Sequence, residues 1–139
     1  MHLLDTDTLT HLHAGHPRVL ERLRSLDDPE VATTIITKIE ILRGRMDFVL
    51  KAASASQLIR AQNLLFRSEE LLQQLIVVPF DTGAVSQFET FRSDRSLRKM
   101  GRADLLIASI VVTNRATLVT RNERHFKRIA NLKVVNWVD

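Results

Sequence analysis

At 139 residues the chain is one domain's worth, and 45% apolar with 26% charged content is globular, which excludes a coiled coil or a disordered tail. Lys and Arg number 20 against 16 Asp and Glu, so the formal charge is +4 and the pI about 10.1, which favours anionic partners. Cysteine is absent, so disulfides, thiolate metal sites and thiol nucleophiles are excluded, and carboxylate and imidazole remain as the available chemistry.

HLLD at the start is a short apolar run stopped by an acid, and TDTLTHLHAG adds helix-capping Thr and Asp and a terminating Gly15, which predicts a strand and then a short helix. PRVLERLRSL starts on Pro17 and places Val19, Leu20, Leu23 and Leu26 on one side, a second helix that DDPE ends. VATTIIT is β-branched and predicts a second strand, and TKIEILRGRM carries Ile39, Leu42 and Met46 at helical spacing. Residues 54–74 space Leu58, Ile59, Leu65, Leu71 and Leu72 for a long amphipathic helix, with enough apolar positions to supply an interface. IVVPF predicts a buried strand, and DTGAVSQFETFRSDRSLRK a helix capped by Asp81. Gly101 interrupts, RADLLIASIVVTNR follows as a nearly all-apolar central helix, and TLVT and LKVVNW supply two further strands. Strands alternating with helices predict one α/β domain over residues 1–139, with a parallel central β-sheet flanked by helices on both faces. The opening MHLLDTDTLTHLH has no basic region of a signal sequence and no run spans a bilayer, so a cytoplasmic location is the expectation.

In parallel α/β folds the ligand crevice lies at the carboxyl ends of the strands. Asp5 ends the first strand, Asp81 follows IVVPF, and Thr120 and Asn122 follow TLV. Asp81 reads as a helix cap, and Asp7 has a similar reading. Asp104 is more informative: at 100° per residue it lies in line with Ile107, Ala108 and Val111, with Arg102, Ser109 and Thr113 opposite, so it is expected to face inward. An inward carboxylate needs a cation, a set of hydrogen bonds or a second acid sharing its proton. Glu40 lies beside the Ile39, Leu42, Met46 stripe, where it can pair with Arg43 or overhang the strand ends. If Asp5, Glu40 and Asp104 converge, two carboxylates about 4 Å apart repel by roughly 4 kcal/mol at an effective dielectric near 20, which a hard cation such as Mg²⁺ or Mn²⁺ removes.

Other constellations are poor. His11 and His13 point about 200° apart on a helix, and His16 completes no zinc spacing. The four glycines are too dispersed for a phosphate-binding loop, and no nucleophile elbow is present. Positive charge concentrates in Arg92, Arg95, Arg98, Lys99 and Arg102, just before Asp104, and in Arg121, Arg124, Lys127 and Arg128, just after Thr120. Carboxylates with a basic rim suit a phosphodiester substrate, and the six Phe, one Trp and no Tyr give little for stacking, so a structured nucleic acid held by its backbone fits better.

LLDTDTLT, TKIEILRG, RADLLIAS and LVTRNERHFKRIANLKVVNW resemble, in this order and from end to end, the four motif segments of the PIN domain family, specifically the VapC-type toxins of bacterial toxin–antitoxin pairs. The resemblance implies that Asp5 and Asp104 hold the metal, that Glu40 completes the acidic cluster, and that Asp7, Thr120 and Asn122 line the site. Many relatives carry a fourth acid where Asn122 stands, and Glu123 is the neighbouring carboxylate. The implied activity is an Mg²⁺- or Mn²⁺-dependent endoribonuclease, with water attacking a phosphodiester in line and leaving a 5′-phosphate and a 3′-hydroxyl. Arg98, Lys99, Arg102, Arg121 and Arg124 are the candidate RNA contacts. The resemblance further implies a tRNA or rRNA substrate, a homodimer, and a VapB-like antitoxin whose arginine plugs the acids bidentately.

Two rival readings exist. DTDTLT approaches the nucleophile loop of haloacid-dehalogenase phosphatases, but Leu9 stands where that loop needs Thr or Val. A non-catalytic phosphoryl receiver would use Asp5, Asp7 and Asp81 with Thr120 and Lys127 or Lys133, and leaves Glu40 and Asp104 unexplained.

Overall fold

The computed structural model describes residues 1–139. Its β1 (His2–Leu4) ends where the Asp5 carboxylate accepts the Thr8 N–H at 2.8 Å, and this cap starts α1 (Thr6–His13). Gly15, at φ +77°, turns the chain towards α2 (Pro17–Ser25). After β2 (Val31–Thr34) comes α3 (Ile35–Leu50), then α4 (Ala55–Gln74), which Ser54 caps through the Gln57 N–H at 3.2 Å. Next are β3 (Ile76–Val78), α5 (Thr82–Ser93), a 3₁₀ turn (Arg95–Leu97) and α6 (Arg102–Thr113). The chain closes with β4 (Thr117–Val119), α7 (Glu123–Phe126) and β5 (Lys133–Val135).

All five strands are parallel, in the order β3-β2-β1-β4-β5. Successive residues of a strand face opposite sides, and two cores result. Leu3, Ala32 and Leu118 point to the face covered by α5 and α6, with Phe88, Phe91, Leu105, Ile107 and Val111. Leu4 and Val119 point to the other, with Leu9 of α1, Val19 of α2, Ile41 of α3, Leu72 of α4 and Trp137. The predicted sheet with helices on both faces is therefore what forms. The chain leaves β1 by one edge to build β2 and β3, then returns across to build β4 and β5, so the strand order reverses between β1 and β4. A crevice opens at the carboxyl ends of such a pair.

Several local expectations are corrected. Residues 35–37, placed in the second strand by their β-branching, begin α3 instead, because the Thr34 hydroxyl accepts the Thr37 N–H at 3.1 Å and the cap outweighs propensity. Ile39 and Met46 are exposed, 52% and 48%, and α3 buries Thr37 and Ile41. The helix after Asp81 stops at Ser93, where Asp94 turns the chain and its carboxylate takes the Ser96 N–H at 2.9 Å. Ser109, expected on the polar side of α6, is fully buried and donates its hydroxyl to the Leu105 carbonyl at 2.6 Å. The four-residue α7 was not predicted, being shorter than any periodicity reveals. No helix is long and apolar enough to cross a membrane.

Candidate active site

Asp5 and Thr120 follow β1 and β4 directly, so the two strands bring them side by side at the crevice, where the Asp5 N–H donates to the Val119 carbonyl at 3.0 Å. Burial pushes the Asp5 carboxyl above its ordinary range, hydrogen bonds from Thr120 and Thr8 pull back against that, and the charge of Asp7 adds to the rise. No cationic side chain lies within 4 Å of its carboxylate. Thr120 and Thr8 are fully buried, and their hydroxyls are in service: Thr120 Oγ1 accepts the Asn122 N–H at 3.1 Å, and Thr8 Oγ1 donates to the Val119 carbonyl at 3.2 Å. Asn122 itself is exposed and reaches the rim only through this backbone bond.

Glu40 is one and a half turns into α3, and its partner is Thr6, whose hydroxyl donates to Oε1 at 2.7 Å, not Arg43. Thr6 adjoins Asp5 in the chain, so this bond brings Glu40 to the β1 side of the crevice. Asp7, in the first turn of α1, is half exposed at 50% and stands 3.6 Å from His11 Nδ1. Asp104, in the first turn of α6, is 38% exposed and so does not face fully inward as expected. Its Oδ2 is 3.0 Å from Nε2 of His125 on α7, a residue the sequence did not single out. The only trace of His125 in the sequence is its place in RNERHFKR, five residues past the strand-end Thr120.

These contacts form two separate groups, Asp5 with Glu40 through Thr6, and Asp104 with His125. In this side-chain arrangement no three Asp, Glu or His groups are close enough to share one metal ion. Each of the three candidate acids has one oxygen held by a protein donor, the Thr8 N–H, the Thr6 hydroxyl and the His125 ring. A carboxylate has two oxygens and about four acceptor sites, so each retains capacity for a further ligand.

The remaining candidates fall outside this centre. Asp81 is the cap of α5, as expected, its Oδ1 accepting the Ala84 N–H at 2.9 Å. His11 and His13 lie on α1, and His16 precedes α2. Arg98, Lys99, Arg102 and Arg124 are exposed, and Arg102 stacks over the Phe88 ring, 5.2 Å from its centroid. Arg121 is engaged: its Nε and Nη2 donate to the Asp139 carboxylate at 3.1 and 3.2 Å, which raises its already high pKa.

Comparison with known proteins shows similarity over the whole length of the chain. Ribonuclease VapC2 of Rickettsia felis is 37% identical over 68 residues, a match spanning 48% of this chain and about half, 51%, of that protein. Ribonuclease VapC1 of Haemophilus influenzae is 26% identical over 143 aligned residues, 99% of this chain and 98% of that protein. Among solved structures, VapBC2 from Rickettsia felis bound to a DNA fragment from their promoter superposes with a TM-score of 0.76 at 28% identity, covering 98% of each chain. The PIN domain profile matches residues 2–132, and the chain belongs to the PIN domain family.

Proposed function

We propose that the chain is the toxin of a VapBC-like pair, a metal-dependent endoribonuclease that hydrolyses RNA phosphodiester bonds. The observation that carries the reading is Asp5, a largely buried carboxylate at the strand-order reversal with no cationic side chain within 4 Å of it. The donors are oxygens throughout and the chain has no cysteine, a set suited to Mg²⁺ or Mn²⁺.

Asp5, Asp104 and Glu40 would hold the ion, and Asp7, Thr120 and Asn122 support the site. When bound, such an ion offsets the acids' repulsion, makes water a nucleophile near neutral pH and stabilises charge on the phosphate. The chain's own residues do the positioning. Thr8 and Thr120 aim Asp5, Thr6 aims Glu40, and His125 aims Asp104, so that a ligand meets oriented oxygens. Arg98, Lys99, Arg102 and Arg124 would neutralise flanking phosphates, and Arg121 would do so on leaving Asp139. The substrate class is a structured RNA, tRNA or rRNA, held by its backbone.

A VapB-like antitoxin is the expected partner, with an arginine entering the acidic rim. That antitoxin and a second copy of this chain would cover the large apolar side chains left exposed on α3 and α4, such as Leu50 at 82%, Ile59 at 60% and Phe66 at 53%. The cytoplasm is the matching compartment for an RNA-cleaving toxin.

The test is growth after induction of wild type, Asp5→Asn and Asp104→Ala, with RNA 5′ ends sequenced from the arrested cells. Arrest with discrete new ends, lost in both variants, supports the reading and identifies the RNA. Soluble wild type that neither arrests growth nor creates ends overturns it.

A further inference from the structure

Away from the acid rim, a cleft of about 360 Å³ opens where α5, the 3₁₀ turn and the start of α6 meet. Its floor is Phe91, Leu97 and Leu105, and its walls carry Arg92, Arg95 and Arg98. None of the three guanidinium groups has a carboxylate within 4 Å. The one acid in the wall, Asp94, is occupied: its Oδ1 accepts both the N–H and the hydroxyl of Ser96, at 2.9 and 2.7 Å.

A second feature concentrates the charge further. Arg92 and Arg102 both stack over the ring of Phe88, with their Cζ atoms 5.7 and 5.2 Å from its centroid. The ring attracts each cation, yet the two repel one another, so the stack brings like charge together without neutralising it. Unpaired guanidinium groups around a concave site are the arrangement that accepts a phosphate through paired N–H donors.

The cleft is also placed to be useful. Leu105 in its floor is the residue after Asp104, and Arg98, Lys99 and Arg102 lead along the chain from the cleft to that acid. A strand whose scissile phosphate lay at the acids would therefore carry a neighbouring phosphate past this cleft, whose volume suits a sugar–phosphate unit better than a single carboxylate. We propose that the Arg92, Arg95, Arg98 cleft is a phosphate-docking subsite for the RNA backbone, outside the acidic centre; the assignment of RNA as its ligand rests on the ribonuclease reading.

The probe is a fluorescein-labelled RNA hairpin, kept intact by EDTA because the proposed cleavage needs a divalent ion, titrated by anisotropy at several salt concentrations against wild type and the Arg92→Ala/Arg95→Ala double variant. Backbone binding is independent of sequence, so a generic hairpin serves. The expected result is about five- to twentyfold weaker binding, with a salt slope shallower by roughly 1.5 for two lost phosphate contacts. An Arg92→Lys/Arg95→Lys variant, which keeps the charge but not the paired donors, should fall between, and unchanged thermal melts show that neither variant is misfolded. Equal affinity and slope in wild type and the alanine variant overturn the subsite, even if wild type still cleaves RNA. Binding of a polyglutamate peptide that needs these arginines, with no effect on the hairpin, assigns the cleft to an acidic protein and also overturns it. Conversely, loss of hairpin binding in the variant sustains the subsite even if wild type proves unable to cleave RNA, which separates this outcome from failure of the nuclease reading.

Discussion

His125 Nε2 stands 3.0 Å from Asp104 Oδ2, across 21 residues of chain, and ties the short α7 to the first turn of α6. The bond leaves Asp104 Oδ1 for a further ligand and sets which way it faces. Replacement of such a supporting group in a metal site costs about 10- to 100-fold in metal affinity or activity. His125→Ala should therefore lower cleavage by about that factor, partly recovered at high Mn²⁺, whereas Asp104→Ala should be inactive at any Mn²⁺ concentration. A Mn²⁺ titration of the cleavage rate distinguishes the two. Full activity in His125→Ala at low Mn²⁺ would show that the pair has no positioning role.

Thr6 does the same for Glu40 through a 2.7 Å hydrogen bond. The bond lies at an exposed position, so its contribution to folding is small, and its value is in orientation. Thr6→Val should reduce cleavage by about tenfold while leaving the melting temperature close to wild type, and Thr6→Ser should retain activity. Parallel melts and single-turnover rates check both halves. A large drop in melting temperature would instead make Thr6 a structural residue.

Asp5 trades stability for its site. Burial raises its carboxyl above the ordinary value of 3.8, so the folded state holds its proton more tightly than the unfolded chain does. Between the ordinary and the raised value the folded protein binds more protons, and stability due to this group falls as pH rises through that window. At neutral pH the charge remains as a cost. Asp5→Asn keeps an acceptor for the Thr8 N–H and should melt higher than wild type at pH 7 in the absence of divalent ions, the difference narrowing as the pH approaches the acid end of the window. Adding Mg²⁺ or Mn²⁺ should reverse the order, since a ligand at 100 times its Kd stabilises by about 2.7 kcal/mol and only wild type keeps Asp5 to bind it. Melting curves over pH, with and without the ion, provide the check.

Arg115 ends α6 with φ 51°, a left-handed conformation in which its Cβ crowds the backbone. The Arg115 N–H donates to Val112 at 3.1 Å and the Ala116 N–H to Val111 at 3.0 Å, the paired bonds of a helix end that favours glycine. Arg115→Gly should stabilise the protein by about 0.5–1 kcal/mol in urea unfolding, less than the relieved strain because glycine also frees the unfolded chain. Cleavage should be unaffected, as the residue is at the opposite end of α6 from Asp104.

What the sequence by itself determined was set by neighbours in the chain. The Asp81 cap is a local hydrogen bond over three residues, and the apolar alternation of HLL and TLV decides which face each strand residue takes. The alternation of strands with helices then left a parallel sheet as the outcome, which put Asp5 and Thr120 at strand ends. Where two local signals competed, only the fold decided: the β-branched residues 35–37 turn helical because Thr34 caps them, and α3 rotates so that Thr37 and Ile41, not Ile39 and Met46, meet α1 and α4. The partners of the acids were likewise beyond reach. Thr6 and Glu40 lie 34 residues apart and His125 and Asp104 lie 21 apart, and no periodicity encodes such pairs, because they form only when strand order sets α1 beside α3 and α7 beside α6. Residue types at a site are local facts of the sequence, whereas the donor that orients each one is a consequence of packing.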